Sequence, residues 1–190
     1  MNAKTSVLIL GLMASVLAAG AEELAGTYAV DAVHSTAMFR IKHLGVSFAR
    51  GRFNDIAGTI SLGPDGGKVA VTIKTASVDT ANEARDKHLR TADFFSTDEF
   101  PEMSFVSTSF KKIDEDTFEV SGDFTLHGVT KPLTVTAELT GTGKDNKQKP
   151  IAGFETEFVI KRSEFDMGKM VPFIGDEVRV TLSIEAAKQS

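Results

Sequence analysis

Apolar and polar positions alternate with period two along most of the chain beyond residue 25, and that alternation predicts strands. Tyr28 and Val30 alternate within 26–31. In 34–43, Phe39, Ile41 and His43 share one face, and Met38, Arg40 and Lys42 share the other. The stretch 48–62 reads as one long strand that bends or bulges at Gly51 and Gly58. Val69, Val71 and Ile73 alternate with lysine and threonine after a turn at 63–67. Residues 103–112 and 117–126 read as a hairpin about Asp114-Glu115-Asp116. Leu133, Val135, Ala137 and Leu139 give the cleanest alternation. A charged turn at 144–149 follows, then Phe154 to Ile160 and Val178 to Ile184. Eight or nine strands with short connections, and no linker or repeat, predict a single all-β domain: an antiparallel barrel closed or wound up and down.

One stretch breaks the pattern. Thr80 to Phe105 contains the one convincing helical segment after the N-terminus. Thr80 and Glu83 have the spacing of a capping box, and Glu83–Lys87 and Asp86–Arg90 have the favourable i,i+4 order of acid before base. These pairs account for a solvated face and leave Ala81, Arg85, His88 and Leu89, followed by Phe94, Phe95 and Phe100. A short helix that carries a cation and an imidazole into three phenylalanines reads as a lid or side wall on something apolar. The competing reading is a crossover helix with core-anchoring rings.

The N-terminus has the form of an export signal: Lys4, then an uncharged apolar run from Val7 to Leu17, then Ala19-Gly20-Ala21. The expected cleavage after Ala21 leaves 22–190 as the domain. The run is shorter than the roughly 20 apolar residues of a membrane span. The chain has no cysteine, so neither a lipid anchor nor a disulfide is expected. The expected location is the periplasm. Without Lys4, 26 acidic residues face 20 basic ones, a formal charge of −6. That balance argues against nucleic acid, and against docking to an anionic membrane by overall charge. Phenylalanine occurs 14 times, tyrosine once and tryptophan never. Such a set suits a surface that is apolar throughout, because Tyr and Trp are useful where a ring meets a polar partner.

The candidate chemistry is sparse. His34, His43, His88 and His127 lack metal-ligand spacing on any one element, so no metal or haem is expected. There is no G-x-S-x-G elbow and no phosphate loop, and Gly141-Thr142-Gly143 reads as a strand-end turn. Asp86 and His88 lie i,i+2 and point apart on a helix. His127-Gly128 suits a hairpin turn. The segment 163–176 places Phe165, Met167, Met170, Val171, Phe173 and Ile174 on a run interrupted by Gly and Pro. It is expected to fold over the barrel end and, with Phe94-Phe95, to form two jaws of an apolar cleft.

Several motifs in order resemble the YceI-like family of polyisoprenoid-binding periplasmic proteins over essentially the whole mature length. They are Asp31-x-x-His34-Ser35, Phe39-x-Ile41-Lys42-His43-Leu44-Gly45, Gly51-Arg52-Phe53, Ser77-Val78-Asp79-Thr80 and Arg85-Asp86-Lys87-His88-Leu89-Arg90-x-x-Asp93-Phe94-Phe95. Pro101-x-x-x-Phe105, the run Gly122 to Pro132, Arg162-x-x-Phe165-x-Met167 and Gly175-Asp176-x-Val178 complete the set. The resemblance implies a lipocalin-like antiparallel barrel around a long apolar tunnel. Its ligand would be a polyisoprenoid, an isoprenoid quinone, or a fatty acyl compound such as a fatty acid or amide. It implies no metal, no cofactor and no established reaction, and it places the 85–95 motif beside the tunnel.

The expected function is therefore a carrier of a long-chain apolar molecule and not an enzyme. His43, Arg85 and His88 are expected near the mouth. Phe39, Phe48, Phe53, Phe94, Phe95, Phe105, Phe124, Phe158, Phe165, Met167, Met170 and Phe173 are expected in the wall. Plain core packing is the rival role for each wall residue, since strand parity does not distinguish a face on a ligand from a face on other side chains. Two other functions compete: an enzyme acting on a lipid headgroup through His88 or His43, and a stress-response interaction protein with a filled barrel. A homodimer is left open.

Overall fold

The computed structural model describes residues 24–63 and 66–189. The export signal at 1–21 lies outside the described residues, as does the centre of the 63–67 turn. Eleven strands form one antiparallel sheet: β1 (Gly26–Val30), β2 (Thr36–His43), β3 (Ser47–Phe53), β4 (Ile56–Gly63), β5 (Gly66–Lys74), β6 (Val78–Asp79), β7 (Glu102–Lys112), β8 (Thr117–Leu126), β9 (Val129–Lys144), β10 (Pro150–Lys161) and β11 (Ile174–Lys188). The chain's described helix longer than a single 3-10 turn is α1 (Glu83–Leu89).

Eight strands close a ring in the order β1-β4-β5-β7-β8-β9-β10-β11, and β11 returns to β1 through Tyr28↔Lys188 and Val30↔Ala186. The expected barrel is present, but it is not wound up and down: β1 pairs with β4. The first half of β11 pairs instead with β2, which carries β3 and β6 outward from the ring. At that end β2, β3, β6 and α1 form an added side wall.

The elements follow from their patterns. In β8 and β9 the inward positions Phe118, Val120, Phe124, Leu126, Leu133 and Val135 alternate with exposed or half-exposed polar residues. The two strands are joined at His127-Gly128, both in left-handed backbone (φ 51° and 75°), as a two-residue hairpin requires.

Three expectations are corrected. The single strand at 48–62 is two strands, split at Asn54-Asp55, whose amides donate to the Ser77 carbonyl and hydroxyl (3.2 and 3.1 Å). Gly51 and Gly58 are not bulges, since the register runs unbroken through both. The register shifts lie at Ser107/Ser109, Gly153/Phe154 and Ile174/Val178. Gly51 is instead a point of close approach: a Cβ there would lie 2.5 Å from the Phe39 ring and 2.7 Å from the Thr80 methyl. Finally, Gly141 to Gly143 continue β9.

The buried apolar residues form two clusters. One, around Tyr28, Ile56, Ile60, Phe118, Phe154 and Ile184, fills the β1 end of the ring. The other, around Ala37, Phe53, Val78, Phe94, Phe124 and Met167, lies under the side wall.

Candidate functional site

Between the two clusters the barrel encloses a cavity of about 540 Å³. Its lining draws on both, from Ile60, Phe118, Phe154 and Ile184 at one end to His43, Ser47, Arg85, His88 and Met170 at the other. Along β10 the lining runs from Phe154 to Ile160, six residue steps, or roughly 20 Å of wall. Aliphatic rows from β9 (Leu133, Val135, Ala137) and β11 (Val178, Val180, Leu182, Ile184) supply much of the remainder.

The mouth is built on α1. The expected Thr80–Glu83 capping box does not form: Asn82 caps the helix, its side chain accepting from the Arg85 amide at 2.9 Å. Thr80 ties the helix to β6. Its amide donates to the buried Asp86 carboxylate at 2.9 Å and its hydroxyl donates to the same oxygen. Arg85 Nε donates back to the Thr80 hydroxyl and Nη2 to the Thr80 carbonyl, both at 2.7 Å. Asp86 is therefore an anchor inside the wall, not the partner of Arg90. Arg90 instead donates to the carbonyls of Ala76 and Val78 (2.8 and 2.9 Å). Among the described residues Arg85 takes part in none of the ion pairs, leaving a positioned cation at the rim.

The two jaws are joined. His88 Nε2 lies 3.0 Å from Asp93 Oδ2, its ring stands edge-on to Phe94 (5.1 Å between centroids), and Lys169 from the 166–173 loop bonds the other Asp93 oxygen. The two hydrogen bonds, Lys169 first, hold the Asp93 carboxyl below its ordinary range. The loop itself is clipped by Arg162, 4 % exposed, which donates to the carbonyls of Gly175 and Ile174 (both 2.9 Å) and of Met167. Burial pushes the Arg162 pKa down, against the pull of Asp176.

The cavity lining contains Phe39, His43, Phe53, Arg85, His88, Phe94, Phe95, Phe105, Phe124, Phe158, Met167 and Met170 among the residues expected from sequence. Phe39 packs on Phe53 (5.6 Å) and Phe53 on Phe95 (5.4 Å) at the side wall, and Phe124 packs on Phe158 (6.3 Å) across β8 and β10. Three expected wall residues differ. Phe48 pairs with Lys42 and so belongs to the outer face, reaching the lining only at the rim, with Lys42 Nζ 4.5 Å and Arg40 5.0 Å from its ring centre. Phe165 stands behind the wall, buried against Phe124 (5.5 Å) and facing an outer crevice with Lys131 and Glu164. Phe173 is 63 % exposed and outside the lining.

Sequence reasoning chose mainly aromatics and missed the aliphatic rows of β9 and β11, strands that carry none of the expected wall residues. It also missed Phe110, Phe118 and Phe154.

Away from the cavity, Asp31, His34 and Glu185 meet at the surface, with ligand-type atoms all within 4.8 Å. His34 Nδ1 lies 3.1 Å from Asp31 and 3.6 Å from Glu185. Hydrogen bonding to Asp31 raises the His34 pKa, and the same bond, ahead of that from the Val33 amide, lowers that of Asp31.

Residues 28–186 match the family described as the YceI-like domain. The chain belongs to that family. Protein YceI of Shigella flexneri is 42 % identical over 187 residues, covering 95 % of this chain and 97 % of that one. Among solved structures, Burkholderia cenocepacia BcnA superposes with a TM-score of 0.74 at 23 % identity, covering 82 % of this chain and 98 % of that one. A polyisoprenoid binding domain from Saccharophagus degradans gives 0.70 at 18 % identity, covering 85 % and 98 %. The described helix is too short and polar to cross a membrane.

Proposed function

We propose that this YceI-like protein is a periplasmic carrier that holds one long-chain apolar molecule (a polyisoprenoid, an isoprenoid quinone or a fatty acyl compound) along the barrel axis. The observation that carries this reading is the elongated cavity, lined almost throughout by Phe, Leu, Val, Ile and Met, in a barrel that its own side chains do not fill. Each methylene moved from water into such a space contributes about 0.8 kcal/mol, so a long chain is held without a charged anchor. Arg85, His88, His43 and Ser47 at the rim would orient a polar headgroup, a common division of labour in such sites. That a structural relative is described as polyisoprenoid binding supports the ligand class.

Catalysis is less well supported. The His88–Asp93 pair resembles an oriented base, yet Asp93 also bonds Lys169, a tie that suits a latch between the jaws.

Native mass spectrometry of protein purified without detergent, followed by organic extraction, tests the proposal. One unaltered lipid or quinone per chain is the expected result. A chemically converted product would favour an enzyme, and an empty barrel that takes up no acyl or isoprenoid probe would refute the carrier.

A further inference from the structure

The rim of the cavity carries an unusual concentration of exposed apolar side chains. The three-residue tip between β2 and β3 exposes Leu44 (57 %) and Val46 (81 %), and the neighbouring loop exposes Phe173 (63 %), with Met170 and Val171 beside it. The two tips are joined, the Leu44 amide donating to the Phe173 carbonyl at 2.7 Å. Leu44 and Gly45 both take left-handed backbone (φ 50° and 71°). Leucine is a poor choice there, where Asn, Asp or Gly would be unstrained, so local turn chemistry does not explain it.

Behind the tips, the outer face of the same hairpin is cationic. The register sets Arg179, Arg40 and Arg50 abreast on adjacent strands, about 4.8 Å apart. The next row toward the tip holds Lys42 and Phe48. Arg179 bonds Glu157, whereas Arg40, Lys42 and Arg50 take part in none of the ion pairs among the described residues. Like charges directly opposite one another destabilise a sheet, so the row suits an external anion.

We infer that the Leu44–Val46 tip, the Phe173 loop and the Arg40–Lys42–Arg50 face form a docking surface for an anionic bilayer, with the apolar tips entering the headgroup layer and the cations on lipid phosphates. Apolar tips with basic residues behind them are the arrangement of an interfacial anchor. The whole chain is net acidic at −5, so this patch would orient the molecule mouth-down. A second copy of the chain fits less well: a two-fold contact through this face would set the arginine row against its own image. The inference rests on the carrier reading for its purpose, since a chain leaving a bilayer would enter at this mouth.

The test is sedimentation of the protein, as processed by the cells that express it, with phosphatidylglycerol/phosphatidylethanolamine vesicles. Binding should weaken steeply with salt and fall about tenfold in Leu44→Asp/Val46→Asp and in Arg40→Gln/Arg50→Gln. Both tip positions are exposed, and aspartate tolerates left-handed backbone, so the fold should survive. A soluble fluorescent acyl probe measured in parallel should still load into both variants. Absence of vesicle binding in the parent protein, or binding that neither double variant alters, overturns the inference. So does a dimer in analytical ultracentrifugation that Leu44→Asp/Val46→Asp abolishes, with no vesicle binding. Vesicle binding without probe loading would instead refute the carrier reading alone.

Discussion

Arg162 is a single residue on which the mouth depends. It lies among apolar side chains and yet donates to three main-chain carbonyls, which brings the start of β11 and the 166–173 loop together. Replacing it with methionine would take the donor from all three carbonyls, at a cost of about 3 kcal/mol, seen as a lower urea midpoint. Lysine keeps the charge but not the fork of donors, and should recover less than half of the loss. The surface pair Asp31–His34 behaves differently. Because the folded His34 pKa is raised above 6.5, its contribution is fully present below that pH and is lost as pH rises through the folded value. Proton NMR should find His34 titrating above 6.5, and Asp31→Asn should bring it back toward the ordinary value.

At the scale of elements, β2 and the connection from β6 to α1 close on β3 through the hole left by Gly51. Gly51→Val would drive its side chain into Phe39 and the Thr80 methyl, an overpacking worth about 1–3 kcal/mol. The same change should displace Phe39 from the wall, so probe affinity should fall together with thermal stability. The latch between the jaws is separable from the fold, because its members are partly exposed. Asp93→Asn should accelerate release of a bound acyl probe several-fold in stopped flow, with little change in unfolding. Since the Asp93 pKa is lowered, its contribution persists above the ordinary 3.8 and is lost only as pH falls through the folded value. Loss of the Asp93 carboxylate charge should therefore loosen this latch only in strong acid.

At the scale of the whole molecule, the unfilled barrel is the property that the proposed carrier function needs. Val180→Phe, in mid-wall on β11, should fill part of the void, leave the β-type circular dichroism intact and weaken probe binding by more than about tenfold. Phe95→Asp, at the half-buried edge of the wall, should abolish co-purified ligand while the fold persists. Loss of fold in that variant would show that Phe95 is core and not wall.

Period-two alternation made most strands legible, and left-handed-compatible residues at His127-Gly128 marked a hairpin, because both signals depend on neighbours in the chain. The wall rings Phe39, Phe53 and Phe124 were legible for the same reason. Phe48 reaches the lining only at the rim, because it stands on the polar face of β3, a placement that its pairing with Lys42 fixes and the sequence does not show. The break at Asn54-Asp55 was passed over because both flanking segments alternate well, and only their different partners, β2 and β4's neighbours β1 and β5, separate them. The capping box failed because Thr80 is engaged by Asp86 and Arg85 across the helix start.

The sequence by itself determined the all-β class, the short helix and the kinship, since these rest on local periodicity and on motifs in order. Tertiary structure alone decided that the inward face encloses a void. Whether inward side chains meet across a barrel depends on the register and closure of strands as distant as β1 and β11, and on the side wall added at one end, quantities with no signature in any single stretch of chain.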